Sequence, residues 1–239
     1  MKFLLIAAAA LHLFGAGKRI PFVLATLLQT IYVVMRGLEL GRLPIIGPHD
    51  TIAFYAASIA LMALPFVVSR QLSSSQAFAW ITAAFSGMFS LFSLMFKPSM
   101  FPLPPVLKTM WFEFHVALAF FAYGLFTIGA VLGGIYLAKS DRKILDFQYR
   151  AALTGYSFFS ASMVTGGIWG YYAWGTYWLW TPKELWTAIL WLFYSLYLHF
   201  RLKGRDWDRV TAWCGIVGFL ITIFTYLGVS MLLKSSHSF

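Results

Sequence analysis

Between Trp169 and Trp186 the chain reads WGYYAWGTYWLWTPKELW: five tryptophans and three tyrosines, set between two apolar segments that each look long enough to cross a bilayer. Such a surface suits a flat aromatic ligand resting on indole rings. The competing reading is an aromatic anchor at the membrane interface, for which one or two such rings per helix end suffice. The run also turns a corner. Thr181, Pro182 and Glu184 read as N-cap, N1 and N3 of a helix, a capping box with proline at its favoured place. Trp174, Trp178 and Trp180 then fall on an extramembrane shelf just before that helix.

The elements that must carry this shelf are apolar. Hydrophobic residues make up 60% of the 239, charged residues 11%, and the mean hydropathy is +0.76. A soluble globule would carry roughly 25% charged residues, so composition excludes that class. Apolar blocks lie near 3–17, 20–36, 51–69, 77–96, 112–138, 150–169, 185–201 and 209–233. A spanning helix needs about 20 residues, and the first two blocks are short for one. The expectation is an all-α polytopic bundle of about eight spans in one membrane domain over 1–239, with the tryptophan-rich segment 169–186 on its outer face. Gly15 to Arg19 separates the first two blocks. A signal peptide over 1–17 is the rival reading there, and it lacks a small-x-small cleavage site followed by a soluble domain.

Lysine and arginine set the orientation. With the amino terminus outside, the inner loops hold Lys18, Arg19, Arg70, Lys139, Arg142, Lys143, Arg201, Lys203, Arg205 and Arg209. The outer segments hold Lys2, Arg36, Arg42, Lys97, Lys108, Lys183 and Lys234. The bias is modest and strongest in the two inner loops that flank the tryptophan segment, which places that segment outside. The net charge of +10 is then matched by anionic lipid at the inner surface and calls for no nucleic acid.

That topology gathers the histidines. His115 opens the fifth span and His237 follows the eighth, so both return to the face that carries the shelf. Two neutral imidazoles across a flat aromatic bed supply what a six-coordinate haem iron needs, axial nitrogens above and below and apolar surface at the porphyrin edge. Interfacial anchoring is the plainer role for either histidine alone. His12 and His199 fall near the inner ends of their spans and could face one another, as a second ligand pair or as snorkelling, hydrogen-bonded helix residues. His49, beside Asp50 in an outer loop, reads as a solvated loop histidine.

The run WGTYWLWTPKELW, Trp174 to Trp186, resembles the WGxxWxWDPKExW segment of the CcsA/ResC-type haem-handling proteins of cytochrome c biogenesis. Tyr197-Leu198-His199-Phe200-Arg201 and Leu232-Leu233-Lys234-Ser235-Ser236-His237 are similar to that family's YLHxR and LLxxxLHS endings. Gly41-Arg42-Leu43-Pro44 with Asp50-Thr51 is more loosely similar to its GHxPxSNxYES. The resemblance implies non-covalent haem b held between His115 and His237 as axial ligands. It implies a membrane-embedded ligand role for His199, its mate supplied by a CcsB/ResB-like companion subunit, a place His12 could fill within this chain. It further implies presentation of haem to apocytochrome c, within a holocytochrome c synthase complex with a separate partner, in a bacterial inner membrane or its equivalent. The family aspartate is Thr181 here. A threonine preserves a helix cap but would lose any charge-based role at haem.

Cys214, the single cysteine, permits neither an internal disulfide nor a C-x-x-C-H attachment site, so the chain is not itself a c-type cytochrome. It reads as a small buried apolar residue. Lys108, Lys183 and Lys234 are candidates for haem propionates or ordinary interfacial lysines. Pro98, Pro102, Pro104 and Pro105 stiffen the loop before His115. A membrane b-type cytochrome or a structural subunit descended from the family are the alternative functions.

Overall fold

The computed structural model describes residues 2–15, 17–69, 75–98, 100 and 102–232. It is helical throughout, with no strand among the described residues, and the chain divides into two compact units, Met1–Pro102 and Leu103–Phe239.

The first unit holds α1 (Lys2–Phe14), α2 (Arg19–Leu40), α3 (Pro48–Val68) and α4 (Ser75–Leu94). Helix α1 packs on α2 and α4, and α3 packs on α2 and α4. Ala8, Ala9, Ala25, Ala53, Ala56, Ala60 and Ala63 are all buried, and small residues of this kind let helix backbones approach closely without a solvent-driven hydrophobic force. The break between α1 and α2 falls at Gly17, whose φ is +68°. A Cβ there would lie 2.6 Å from the Gln76 carbonyl oxygen. Helix α2 runs past its expected end to Leu40, where Gly41 at φ +63° closes it and the Arg42 N–H donates to the Gly37 carbonyl.

A polar stripe on α2 is sealed inside this unit. Gln29 accepts from His12 Nε2 (3.2 Å) and donates to Ser86 Oγ (2.9 Å) and Ser90 Oγ (2.7 Å). Farther along, Arg36 forks onto Asp50 at 3.1 and 3.3 Å and reaches Glu39 at 2.7 Å. His49 is not a solvated loop residue. It sits in the first turn of α3, only 1% exposed, its Nδ1 donating to the Ser93 carbonyl (2.8 Å) and its Nε2 accepting from the Tyr32 hydroxyl (2.6 Å). Pro48 starts α3 ahead of His49 and thereby turns an apparent loop into a buried helix end.

In the second unit a 3₁₀ turn, Pro105–Leu107, precedes α5 (Met110–Lys139), α6 (Arg142–Trp174), α7 (Pro182–Leu202) and α8 (Asp208–Ile223). Helix α8 continues through a π-helical turn, Phe224–Gly228, into a last turn, α9 (Val229–Leu232). Thr109 caps α5 by accepting from the Phe112 N–H, and Asp141 caps α6 by accepting from the Lys143 N–H. Two residues, Ser140 and Asp141, separate those helices, so they form an antiparallel hairpin that also packs on α8. Helix α7 docks by stacking Tyr194 on Phe126 (3.6 Å between centroids, 11°) and by hydrogen bonds from Trp191 Nε1 to Ser160 Oγ and between Tyr156 and Ser195.

The eight apolar blocks each correspond to a helix. Among the described residues, five helical segments are long and apolar enough to cross a membrane: Arg19–Leu40, Pro48–Val68, Gln76–Leu94, Met110–Lys139 and Arg205–Gly228. Lys2–Phe14 is apolar but shorter. Helices α6 and α7 are long but more polar. Arg142, Lys143, Asp146, Gln148 and Arg150 fill the start of α6, and α7 carries Lys183, Glu184, His199 and Arg201.

At the charged end of this unit Arg142 pairs with Asp208 at 3.1 Å, and Arg201 bridges Asp146 and Asp208. One turn inward Gln148 Nε2 donates to the carbonyls of Gly129 (3.1 Å) and Ala212 (3.3 Å), joining α6 to α5 and α8. Cys214 beside this joint is half-buried rather than buried. A Cβ at Gly215 would lie 2.1 Å from Gln148 Nε2, whereas one at Gly134 meets nothing within 4 Å. Gly215→Ala is therefore expected to cost about 1–3 kcal/mol through overpacking, seen as a lower thermal midpoint of the detergent-solubilised protein. Gly134→Ala, in the same bundle, should be neutral or slightly stabilising.

Candidate functional site

His115 stands in the second turn of α5, and the face of α6 opposite it is built from Ser162, Gly166 and Trp169, residues four and three apart on one helical stripe. The imidazole donates from Nδ1 to the Ser162 carbonyl at 2.8 Å, and the Ser162 hydroxyl donates to the His115 carbonyl at 2.8 Å. A neutral imidazole that donates from Nδ1 carries its lone pair on Nε2. This is the arrangement that orients a metal-ligating histidine from behind. Gly166 permits the approach, since a Cβ at that position would lie 2.5 Å from His115 Nδ1.

Trp169 lies nearly parallel to the imidazole, with centroids 6.2 Å apart and planes 17° apart. It is buried, flanked by Phe112, and its indole N–H donates to the Val106 carbonyl at 2.8 Å. The proline-rich loop thus contributes directly, because its 3₁₀ turn offers the carbonyl that fixes the ring behind the histidine. Trp174, at the end of α6, meets Trp169 edge-on at 4.8 Å. His115, Trp169 and Trp174 are consequently one contiguous aromatic surface.

Gly175 at φ +73° closes α6, and the following segment folds back over it. The Thr176 and Tyr177 carbonyls come within 3.2 and 3.7 Å of where a Gly170 Cβ would be. Tyr177 stacks on Tyr171 (4.8 Å, 16°), and Trp178 and Trp180 form a second pair, edge to face at 6.2 Å. The capping box expected at the start of α7 is present: the Glu184 N–H donates to Thr181 Oγ1 at 3.3 Å, and the Glu184 carboxylate accepts from the Thr181 N–H at 3.0 Å. Trp180 occupies the left-handed region at φ +57° with 72% of its surface exposed. That conformation costs an L-residue about 1–2 kcal/mol. Lys183 stands in the first turn of α7, and Tyr177, in the segment leading to that turn, packs against Gly167 beside the Gly166 that faces His115.

The other sequence candidates fall elsewhere. His237 lies outside the described residues, as does Lys234. His12 belongs to the first unit, where Nε2 is taken by Gln29 and Nδ1 is buried without a hydrogen-bond partner among the described residues. His199 is exposed on α7 and donates from Nδ1 to the Ser195 carbonyl one turn back, at 2.8 Å. Among the described residues no group of three or more His, Cys, Asp or Glu side chains could hold a bare metal ion. Sequence reasoning missed Ser162, Gly166 and Trp169 as the support of His115. Their shared stripe on α6 was readable, but nothing in the sequence showed which neighbour that stripe meets.

A family model described as "Cytochrome C assembly protein" matches residues 49–237. The chain belongs to the cytochrome c assembly family. Within it, the chain is similar to the cytochrome c biogenesis protein CcsA of Chlamydomonas reinhardtii, 29% identical over 92% of this chain and 67% of that one. It is also similar to the CcsA of Guillardia theta, 28% identical over 91% of this chain and 83% of that one. In fold it is similar to a solved structure titled cytochrome c heme lyase CcmF, with a TM-score of 0.75 at 16% identity, covering 94% of this chain and 45% of that chain. The CcsA-type resemblance of the chain is therefore borne out, and the chain is a cytochrome c assembly protein of the membrane.

Gly166→Ala should force His115 off the Ser162 carbonyl. In ¹⁵N spectra of histidine-labelled protein the Nδ1–H tautomer signal assigned to His115 is expected to be lost or shifted, with about 1–3 kcal/mol of destabilisation. An unchanged signal would show that the two residues are not packed as described.

Proposed function

We propose that this chain holds haem b, non-covalently, between His115 and His237 over the tryptophan shelf and presents it for covalent attachment to apocytochrome c. The observation that carries the reading is the His115 hydrogen bond to the Ser162 carbonyl, which commits Nδ1 as donor and leaves Nε2 as the nitrogen available to iron. In this reading the chain crosses the membrane about eight times, with its amino terminus and the 169–186 segment on the outer face of a bacterial inner membrane or its equivalent. The α6 and α7 helices cross as well, the Arg142 end of α6 and the Arg201 end of α7 at the inner surface.

The residues have separate roles. His115 and His237 supply axial nitrogens, while Trp169 and Trp174 back the His115 side and exclude water from it. Trp178 and Trp180 offer ring surface to the porphyrin, and Lys183 is placed to meet a propionate. Haem supplies the vinyl groups that become thioethers when the cysteine thiols of a C-x-x-C-H segment add across them. The chain's contribution to that step is to hold the acceptor still and to surrender one axial histidine, so that attachment follows from proximity. Its own single cysteine, Cys214, leaves no C-x-x-C-H in this chain to compete for the cargo. His199, with Nδ1 already donating, presents Nε2 for a second haem position completed by a CcsB/ResB-like subunit.

Thr181 in place of the family aspartate keeps the helix start intact, because its hydroxyl accepts the bond a capping aspartate would accept. Thr181→Ala is expected to cost about 0.5–2 kcal/mol with haem binding kept, and Thr181→Asp to leave both unchanged. A gain in cytochrome c maturation from Thr181→Asp, in a strain dependent on this protein, would instead give that position a role at haem.

The reading is tested by replacing His115 or His237 with Ala. Each variant should lose most of the low-spin haem spectrum of the purified protein, and imidazole should restore much of it by filling the vacated axial position. Full retention of that spectrum in both variants would overturn the assignment.

A further inference from the structure

We infer that Glu184 is the positioning residue for Trp180, and that Trp180 is held in its unfavourable backbone conformation so that its indole forms the outer lip of the haem shelf. The inference rests on the haem-binding reading above and names what aims the most exposed ring of that shelf. One carboxylate oxygen, Glu184 Oε2, accepts from two backbone donors, the Leu179 N–H at 2.9 Å and the Thr181 N–H at 3.0 Å. Those residues flank Trp180 on either side. A reciprocal capping box accounts for the Thr181 bond alone. The Leu179 bond lies outside the helix start and closes a clamp around the one residue between.

The clamped residue is Trp180, at φ +57°, a region where glycine or asparagine would sit more easily than a bulky side chain. The residue is 72% exposed, and its ring pairs edge to face with Trp178. Burial therefore returns little for the strain. Strained residues that the surrounding structure over-determines concentrate at ligand sites. Tyr177, three residues before Trp180, packs against Gly167, next to the Gly166 that faces His115, which ties this turn to the ligand-bearing end of α5. A single carboxylate thus joins the start of α7 to the direction of the indole.

The experiment uses the full chain labelled with 5-fluorotryptophan, with the Trp180 ¹⁹F resonance identified by its absence in Trp180→Phe. In the haem-free protein Glu184→Ala should move or broaden that resonance, whereas Glu184→Gln, whose amide oxygen can accept the same two N–H groups, should leave it in place. Thr181→Ala removes the other half of the capping box and keeps both Glu184 bonds, so it too should leave the resonance in place. Haem titration of the same variants should show roughly tenfold weaker binding for Glu184→Ala and for Trp180→Gly, with the Soret position unchanged because His115 is untouched. An unmoved Trp180 line in Glu184→Ala overturns the clamp. Equal shifts in Glu184→Ala and Thr181→Ala also overturn it, because cap loss alone would then explain both. A shifted line with undiminished haem affinity keeps the clamp and removes Trp180 from the shelf. Failure of the unaltered protein to bind haem at all refutes the functional reading and leaves the ¹⁹F result standing on its own.

Discussion

The hydrogen bond from His115 Nδ1 to the Ser162 carbonyl is the constraint around which the second unit is arranged. An imidazole free to rotate offers either nitrogen; one held against a main-chain carbonyl offers only Nε2. To make that bond, α5 and α6 must come together closely enough for a ring to lie on a helix backbone, and Gly166 is where the backbone is bare enough to allow it. The short Ser140–Asp141 connection, the capped helix starts and the Gln148 joint at the opposite end all serve that close pairing. Trp169 then shields the ring, and the 3₁₀ turn that begins at Pro105 holds Trp169. Each of these features is modest alone, and together they fix one nitrogen in direction and protonation.

The hydrocarbon surroundings explain the polar chemistry elsewhere in the chain. With no water to satisfy a buried hydroxyl, serines and threonines on these helices turn to the carbonyl one turn back, as Thr26, Ser58, Thr127, Ser160 and Thr222 do. Other polar side chains collect into hydrogen-bonded groups. His12, Gln29, Ser86 and Ser90 make one, Tyr32, His49 and Ser93 a second, and Arg36, Asp50 and Glu39 a third. All three fasten α2 to its neighbours in the first unit. The strained turn at Trp180 contrasts with this economy. It lies at an exposed helix start, where burial does not dictate the arrangement.

Much of the architecture was legible in the sequence because bilayer thickness imposes a length on apolar runs, and each of the eight runs became a helix. The capping box was legible because its geometry is local: Thr181, Pro182 and Glu184 need no tertiary partner to declare themselves. Helix ends were less legible. Helix α6 begins at Arg142, eight residues before the apolar block that announced it, because a helix can continue past the hydrocarbon on charged residues that hydropathy discounts. His49 was misjudged because its burial depends on Tyr32 and Ser93, distant in the chain and uninformative in themselves. The shelf was found from its tryptophans, but Trp169, the ring that touches the histidine, was passed over in favour of the three that follow it. Which face of α6 meets α5 is a property of packing, and a single sequence does not record it.

The central claim, that His115 Nε2 is an axial nitrogen to haem iron above an indole surface, is open to one direct observation: a cryo-electron microscopy map of the haem-loaded protein in nanodiscs. The account predicts iron bonded to His115 Nε2, the Nδ1 side still against the Ser162 carbonyl, and a porphyrin edge against the indoles of the 169–180 segment. Haem bound away from His115, or a His115 ring turned so that Nδ1 faces the iron, would contradict it.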